Sequence, residues 1–226
     1  MSQRFCGQLG FALLAGLLVC VAVDAMQIDL PVARWSGGAN GFSLVDDEWL
    51  DSWLYDAPKL LALVGVLMLF AAVRWPMGLL SALSKTERWA LALQVLALAA
   101  LVPGIKRFTS TACPWDLLEF GSRTPYISHW DFSQATEFVG HCFPAGHAVN
   151  GFAFLPLAFA LWPYNRRQAR FVLALVLVGG FALGVSQQVR GAHFVSHTLW
   201  SAWICAALAM VLSWLCRKYW LTARFV

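Results

Sequence analysis

Charge is what this sequence has least of. Only 12% of its 226 residues are Asp, Glu, Lys or Arg, against roughly 25% in an average soluble domain. With 60% of residues hydrophobic and a mean hydropathy of +0.65, that shortage excludes a soluble globular protein and leaves a membrane protein. Strand-like alternation is missing as well. The apolar runs are continuous and rich in Leu and Ala, which points to spanning helices and not to barrel strands. No internal repeat, low-complexity tract or separate soluble region interrupts the chain, so residues 1–226 are expected to form one domain.

What the chain does have is six apolar segments, at about 8–23, 57–73, 89–105, 147–162, 171–186 and 195–215. A spanning helix needs about 20 residues. The second segment is short, but Lys59 and Arg74 bound it and can snorkel to the interfaces. The expected fold class is therefore all-α, a polytopic six-transmembrane-helix bundle. The first segment has a rival reading as a secretory signal, with Val23-Asp24-Ala25 resembling a cleavage site. A retained helix is preferred, because six spans give a consistent topology.

Acid is almost absent from one set of loops. Residues 74–88, 163–170 and the two ends hold ten of the sixteen Lys and Arg residues but only Glu87 of the twelve acids. The alternate loops, 24–59, 105–146 and 187–194, hold the other six basic and eleven acidic residues. By the positive-inside rule both termini are cytoplasmic and the acidic loops face outward. A bacterial inner membrane with a periplasm beyond it is the expected location. The net charge of +4 thus encodes topology, and no nucleic-acid partner is expected. Within the first outer loop, residues 35–56 mix Trp with acids. An interfacial helix with an aromatic belt is the preferred reading, substrate gating the minority one.

Of six cysteines, four fall in spans or near the cytoplasmic side. Cys113 and Cys142 alone lie in an outer loop. In an oxidising compartment they are expected to form a disulfide; free thiols or metal-bound thiolates are the alternatives.

The outer ends of the spans collect ionisable residues. "VPGIKRF" places Lys106 and Arg107 at the mouth of the third span, followed by Asp116 and Arg123. "PAGH" opens the fourth with Gly146 and His147, and "SQQVRGAHFVSH" leads into the sixth with Arg190, His193 and His197. This set suits a phosphate. Lys106 and Arg190, helped by Arg107 and Arg123, would neutralise phosphoryl oxygens. Free N–H groups at a helix start could point at the anion. Two histidines could divide nucleophilic attack and protonation of the leaving oxygen.

These stretches resemble the type 2 phosphatidic acid phosphatase (PAP2) superfamily, whose pattern is Lys, six residues, Arg-Pro; then Pro-Ser-Gly-His; then Ser-Arg, five residues, His, three residues, Asp. Lys106, Pro114, Pro144, Gly146, His147, Ser186 and His193 match it in order. The resemblance covers about residues 100–200. It implies that His193 is the nucleophile forming a phosphohistidine, that His147 is the general acid, and that Lys106 and the Gly146 amide hold phosphate. Four positions depart: Cys113 and Gln187 replace Arg, Ala145 replaces Ser, and His197 replaces Asp. Arg190, one helical turn beyond Gln187, can reach the same pocket. His197, or Asp116 from the loop, is the expected orienter of His193.

The expected activity is phosphate removal from a membrane lipid mono- or diphosphate, of the undecaprenyl diphosphate, lipid A phosphate or phosphatidate type. No cofactor or metal is expected, and oligomeric state is not legible. Three other readings stay open: transfer of the phosphoryl group to a lipid acceptor, a metal-dependent hydrolase built on "HFVSH" with His147 and the cysteines, and a non-catalytic lipid-binding relative. The metal reading lacks a glutamate base in its motif. His129 and His141 are expected to be solvated loop residues, and Gly151 and Pro156 to be packing or kink features.

Overall fold

The structure is a computed structural model that describes residues 3–131 and 140–221. Arg224 and Glu137, which enter the charge count above, lie outside the described residues. Helix α1 (Gln3–Ala25) leads to a short α2 (Asp29–Ala33) and a two-residue hairpin, β1 (Gly37–Gly38) with β2 (Gly41–Phe42), paired antiparallel. Helix α3 (Glu48–Asp51) then runs through a π-helical turn, Ser52–Asp56, into α4 (Ala57–Arg74). After α5 (Lys85–Ile105) come short 3-10 turns, then α6 (Val149–Phe152), α7 (Leu155–Leu161), α8 (Arg166–Val189) and α9 (Val195–Leu215).

Local chemistry sets the helix starts. Ser84 and Glu87 form a reciprocal capping box at α5, with Glu87 Oε2 accepting from the Ser84 N–H at 2.8 Å and Ser84 Oγ from the Glu87 N–H at 3.3 Å. Asn165 caps α8 by accepting from the N–H groups of Arg167 and Gln168, each at 3.1 Å. Such side chains satisfy amides that a helix start leaves unpaired.

Among the described residues, five helices are long and apolar enough to span a membrane; the expected sixth is not. The run at 147–162 is broken into α6 and α7, and the physical reason is Pro156. Lacking an N–H, it cannot donate to the Phe152 carbonyl, so the helix stops there and restarts with Pro156 in its first turn. The pair Val149–Leu161 would reach only about 20 Å even if fully helical, short of the ~30 Å hydrocarbon layer. It tolerates this because it meets protein and not lipid. None of its residues is exposed, and it packs among α5, α8 and α9.

Apolar burial cannot drive helices together in lipid, so close packing and interhelical hydrogen bonds must. Phe152, Leu98 and Val95 fill the centre of the main core. Ser213 on α9 donates to Gln94 on α5 at 2.8 Å, and the Trp203 indole on α9 donates to the Leu13 carbonyl on α1 at 2.8 Å. Gly151 of α6 lies so near α8 that a Cβ on it would sit 2.5 Å from the Gly180 nitrogen. That neighbour is backbone and cannot swing aside. Gly151→Ala is therefore expected to destabilise the detergent-solubilised protein by about 1–3 kcal/mol, read as a lower thermal midpoint. Gly179→Ala, where a Cβ would meet nothing within 4 Å, should leave the midpoint nearly unchanged.

Candidate active site

The turn after α8 places three of the motif residues. Gly191 stands at φ +77, a conformation that favours glycine, and the Phe42 ring occupies the space where its Cβ would be. The Gly191 carbonyl accepts from the Trp115 N–H at 2.9 Å, which fastens the 111–116 loop to this turn. Cys113 and Cys142 are joined by a disulfide with Cα atoms 5.3 Å apart. Beside it, the Cys142 N–H donates to the Thr111 carbonyl at 2.9 Å and the Thr109 hydroxyl to the Phe143 carbonyl at 2.5 Å. The Ala145 N–H donates to the His197 carbonyl at 3.3 Å, and the Ser201 hydroxyl bridges the Ala145 and His197 carbonyls. The ends of α5, α6, α8 and α9 are thereby held around one cavity of about 490 Å³.

Lys106, Gly146, His147, Gln187, Arg190 and His193 all line it. A Cβ on Gly146 would come only within 4.0 Å of the Lys106 side chain, so the glycine leaves open space beside the ammonium. His193 is buried, with Nδ1 3.6 Å from Cys142 Sγ, leaving Nε2 for a ligand. Burial, with Lys106 and His147 nearby, pushes its pKa down to about 3, so the ring is neutral at physiological pH. Burial also holds His147 below the usual imidazole value, and Lys59 and Arg190 add to the shift against the opposing bond to the Leu54 carbonyl.

The segment 45–56 covers this cavity. Its Trp49 and Trp53 side is exposed, as a membrane-facing belt would be. Its other side reaches inward. Asp51 Oδ1 pairs with Arg190 Nη2 at 2.6 Å, and the Val45 carbonyl accepts from the same nitrogen at 2.9 Å. The Leu54 carbonyl lies 2.6 Å from His147 Nε2, which fixes the proton on that nitrogen. Tyr55 stacks on the His147 ring at 5.0 Å between centroids, and Lys59 Nζ sits 3.2 Å from the Tyr55 centroid. Asp51, Tyr55, Lys59 and Asn150 line the cavity and were not singled out as site residues from the sequence. A Trp- and acid-rich stretch looks like an interface belt, and Lys59 like a snorkelling residue.

Other expected residues fall elsewhere. Arg107 and Arg123 are exposed and do not line the cavity; a lysine and an arginine in succession on a tight turn point in different directions. Asp116 is also outside it. Its Oδ2 accepts the Cys113 N–H at 3.2 Å, so the carboxylate closes its own 3-10 turn and does not orient His193. His197 lies against His193 with ring centroids 5.8 Å apart, yet neither of its nitrogens has a hydrogen-bond partner. It is fully buried among Phe143, Phe194 and His129, each ring edge-on to it, and meets His193 by ring contact and not by a hydrogen bond. His141 is exposed, as a loop residue would be, with Nδ1 2.6 Å from the Thr109 carbonyl. His129 is not solvated. It is buried and stacked on Phe143 at 4.2 Å. Donor atoms of Cys142, His193 and His197 lie within 4.8 Å of one another, but a disulfide sulfur is no thiolate, so this set does not fit the metal-hydrolase reading.

The profile of the PAP2 superfamily matches residues 88–221, a stretch that contains every motif residue of the cavity. The chain belongs to the PAP2 superfamily. Its fold also aligns with a crystal structure from Bacillus subtilis, described as the first transmembrane PAP2-type phosphatidylglycerolphosphate phosphatase. That alignment has 17% identity and a TM-score of 0.58, covering 96% of this chain and 98% of that one. At this identity the likeness is one of fold. No curated protein sequence matches the chain. PAP2 membership and the five long apolar helices together make it a multi-pass membrane protein.

The Asp51 carboxylate is the anion now seated on Arg190, and its side chain is 45% exposed. An ion pair at that exposure is worth less than ~1 kcal/mol. Asp51→Asn is thus expected to tighten binding of inorganic phosphate by up to about fivefold, measured by titration calorimetry. An unchanged affinity would mean that the carboxylate does not compete for the guanidinium.

Proposed function

We propose that this protein is a metal-independent phosphatase acting on a lipid phosphate or diphosphate, with the headgroup in the cavity and the chain in the bilayer. The observation that carries the reading is one cavity lined by two histidines of lowered pKa, two lysines, an arginine and an open glycine. The asymmetry of loop charge supports a cavity that opens outward from a bacterial inner membrane, with both termini cytoplasmic.

The chemistry follows from the positions. Phosphoryl oxygens take the place of the Asp51 carboxylate at Arg190 and lie against Lys106 and the Gly146 N–H. The leaving oxygen takes the place of the Leu54 carbonyl opposite His147. Neutral His193 attacks phosphorus through Nε2; the N–P bond forms as the P–O bond to the lipid breaks, and protonated His147 gives its proton to the departing oxygen. Water then attacks the phosphohistidine, His147 takes up one of its protons, and the P–N bond breaks to release phosphate.

A second cavity, of about 410 Å³, meets His193 from the side of α2 and α8. Val32, Ala33, Val185, Val189 and Phe194 make its lining mainly apolar. It suits a lipid chain, of the substrate or of an acceptor. Transfer of the phosphoryl group from His193 to a lipid hydroxyl is therefore the second reading.

Phosphate release from a panel of lipid mono- and diphosphates tests the first. Wild type should release phosphate from at least one lipid and His193→Ala from none. His147→Ala should be slower by about 10²–10⁴-fold, the usual worth of a general acid. Phosphate that disappears from one lipid only as it appears on another would favour transfer. The pH dependence carries a sign. His193 is deprotonated above about pH 3, so it sets no limb in the working range. His147 must be protonated to act, and its pKa lies below 6.5. The value of kcat/KM should therefore fall as pH rises through the range below 6.5 and beyond. A rate that increases from pH 6 to 8 would assign His147 the opposite protonation state.

A further inference from the structure

A second cluster of ionisable groups lies apart from the catalytic cavity, where α1 ends, α2 begins and the loop before residue 131 crosses both. Asp24, Asp29 and His129 each place one donor atom within 4.8 Å of the others. Asp29 is 4% exposed, and the His129 side chain 3%. Hydrogen bonds explain part of the arrangement. Asp24 Oδ2 accepts the indole N–H groups of Trp130 and Trp200, each at 2.8 Å. Asp29 accepts the Ser196 N–H at 2.9 Å and its hydroxyl at 2.6 Å.

Two atoms are left over. Asp24 Oδ1 and His129 Nε2 are both buried and neither makes a hydrogen bond. His129 Nε2 stands 3.4 Å from Asp24 Oδ2, without the alignment that a hydrogen bond requires. The ion pairs among the described residues give neither carboxylate a lysine or an arginine. Two carboxylates and a ring nitrogen facing one another in a low-dielectric place are a costly arrangement unless a positive charge sits between them.

We infer that Asp24, Asp29 and His129 form a binding site for one divalent cation of the zinc type, with water completing its shell. Asp24 Oδ1 and His129 Nε2, the two buried atoms here without a partner, are a carboxylate oxygen and an imidazole nitrogen, both donors that zinc takes. Magnesium takes oxygen donors. An imidazole with two carboxylates selects the borderline metal. Asp29 offers a donor atom within 4.8 Å of one on each of the other two, and each of its oxygens keeps a lone pair beyond its hydrogen bond to Ser196. The ion pins the end of α1, a helix held to the rest mainly through α9. Through Asp29 and Ser196 it also steadies the start of α9, three residues after His193.

The test uses the full-length protein, untagged and in detergent, loaded with zinc chloride and freed of loosely held metal on a chelating resin. Elemental analysis should find close to one zinc per chain in the wild type and close to none in Asp24→Asn and His129→Gln. X-ray absorption at the zinc edge of the wild type, which needs no variant to fold, should show only nitrogen and oxygen neighbours. Removing the metal should lower the wild-type thermal midpoint. No zinc in the wild type, zinc kept by both variants, or sulfur in the shell would each overturn the assignment. Sulfur would place the ion elsewhere in the chain.

Discussion

A guanidinium taken out of water must be given a counter-charge, and Arg190 is the charge around which this cavity is arranged. It is 5% exposed, and an unpaired charge so placed would cost several kcal/mol. The Asp51 carboxylate and the Val45 carbonyl supply partners at Nη2. Holding those two groups in place brings the whole 45–56 segment over the cavity. Leu54 then reaches His147, and Tyr55 stacks on its ring. On the proposed reading the same groups hold the places of a substrate: a carboxylate on Arg190, and a carbonyl oxygen on His147. Whatever displaces them must offer Arg190 an equal or better anion, which a phosphate does with bidentate geometry.

The bundle beneath has a different logic. In lipid the apolar side chains gain nothing by leaving their surroundings, so helices meet where small residues let backbones approach. Gly151 against Gly180, and Gly184 against Thr198, mark those approaches. The broken α6–α7 segment can lie at the centre because long helices surround it, and its short reach leaves His147 at the level of Lys106 and His193. A full-length helix would have no such break at Ala153–Phe154. The fold positions the site by shortening the one element that His147 precedes.

Much of this was legible in the sequence, and the misses have physical causes. Hydropathy located the five long helices within a few residues, because a span must be apolar along its length whatever its neighbours do. It overextended the segment at 147–162, because Pro156 is apolar by composition but a break by hydrogen bonding. Motif spacing found Lys106, Gly146, His147, Arg190 and His193, which converge on one cavity. It failed for Arg107, Arg123 and Asp116, since nearness in sequence does not say which way a 3-10 turn points its side chains. His129 was misread for a related reason. A histidine in a polar loop looks solvated until the loop folds down onto Phe143 and Asp24.

The chain departs from the family pattern at four positions, Cys113, Ala145, Gln187 and His197. Two arginines of that pattern are absent, replaced by Cys113 and Gln187, yet the cavity still holds three cationic side chains: Lys59, Lys106 and Arg190. One of them lies on α4, at the end of the segment that covers the site, so part of the positive charge has moved from the fixed walls to the cover. His197 makes a second exchange. A carboxylate at that position would favour the protonated form of His193 and raise its pKa. A buried imidazole does not, and His193 stays neutral, which is the form that can attack phosphorus. Losing the carboxylate gives up a hydrogen bond that would aim the ring. The disulfide at Cys142, 3.6 Å from Nδ1, and the aromatic wall around His197 fix that aim by contact instead.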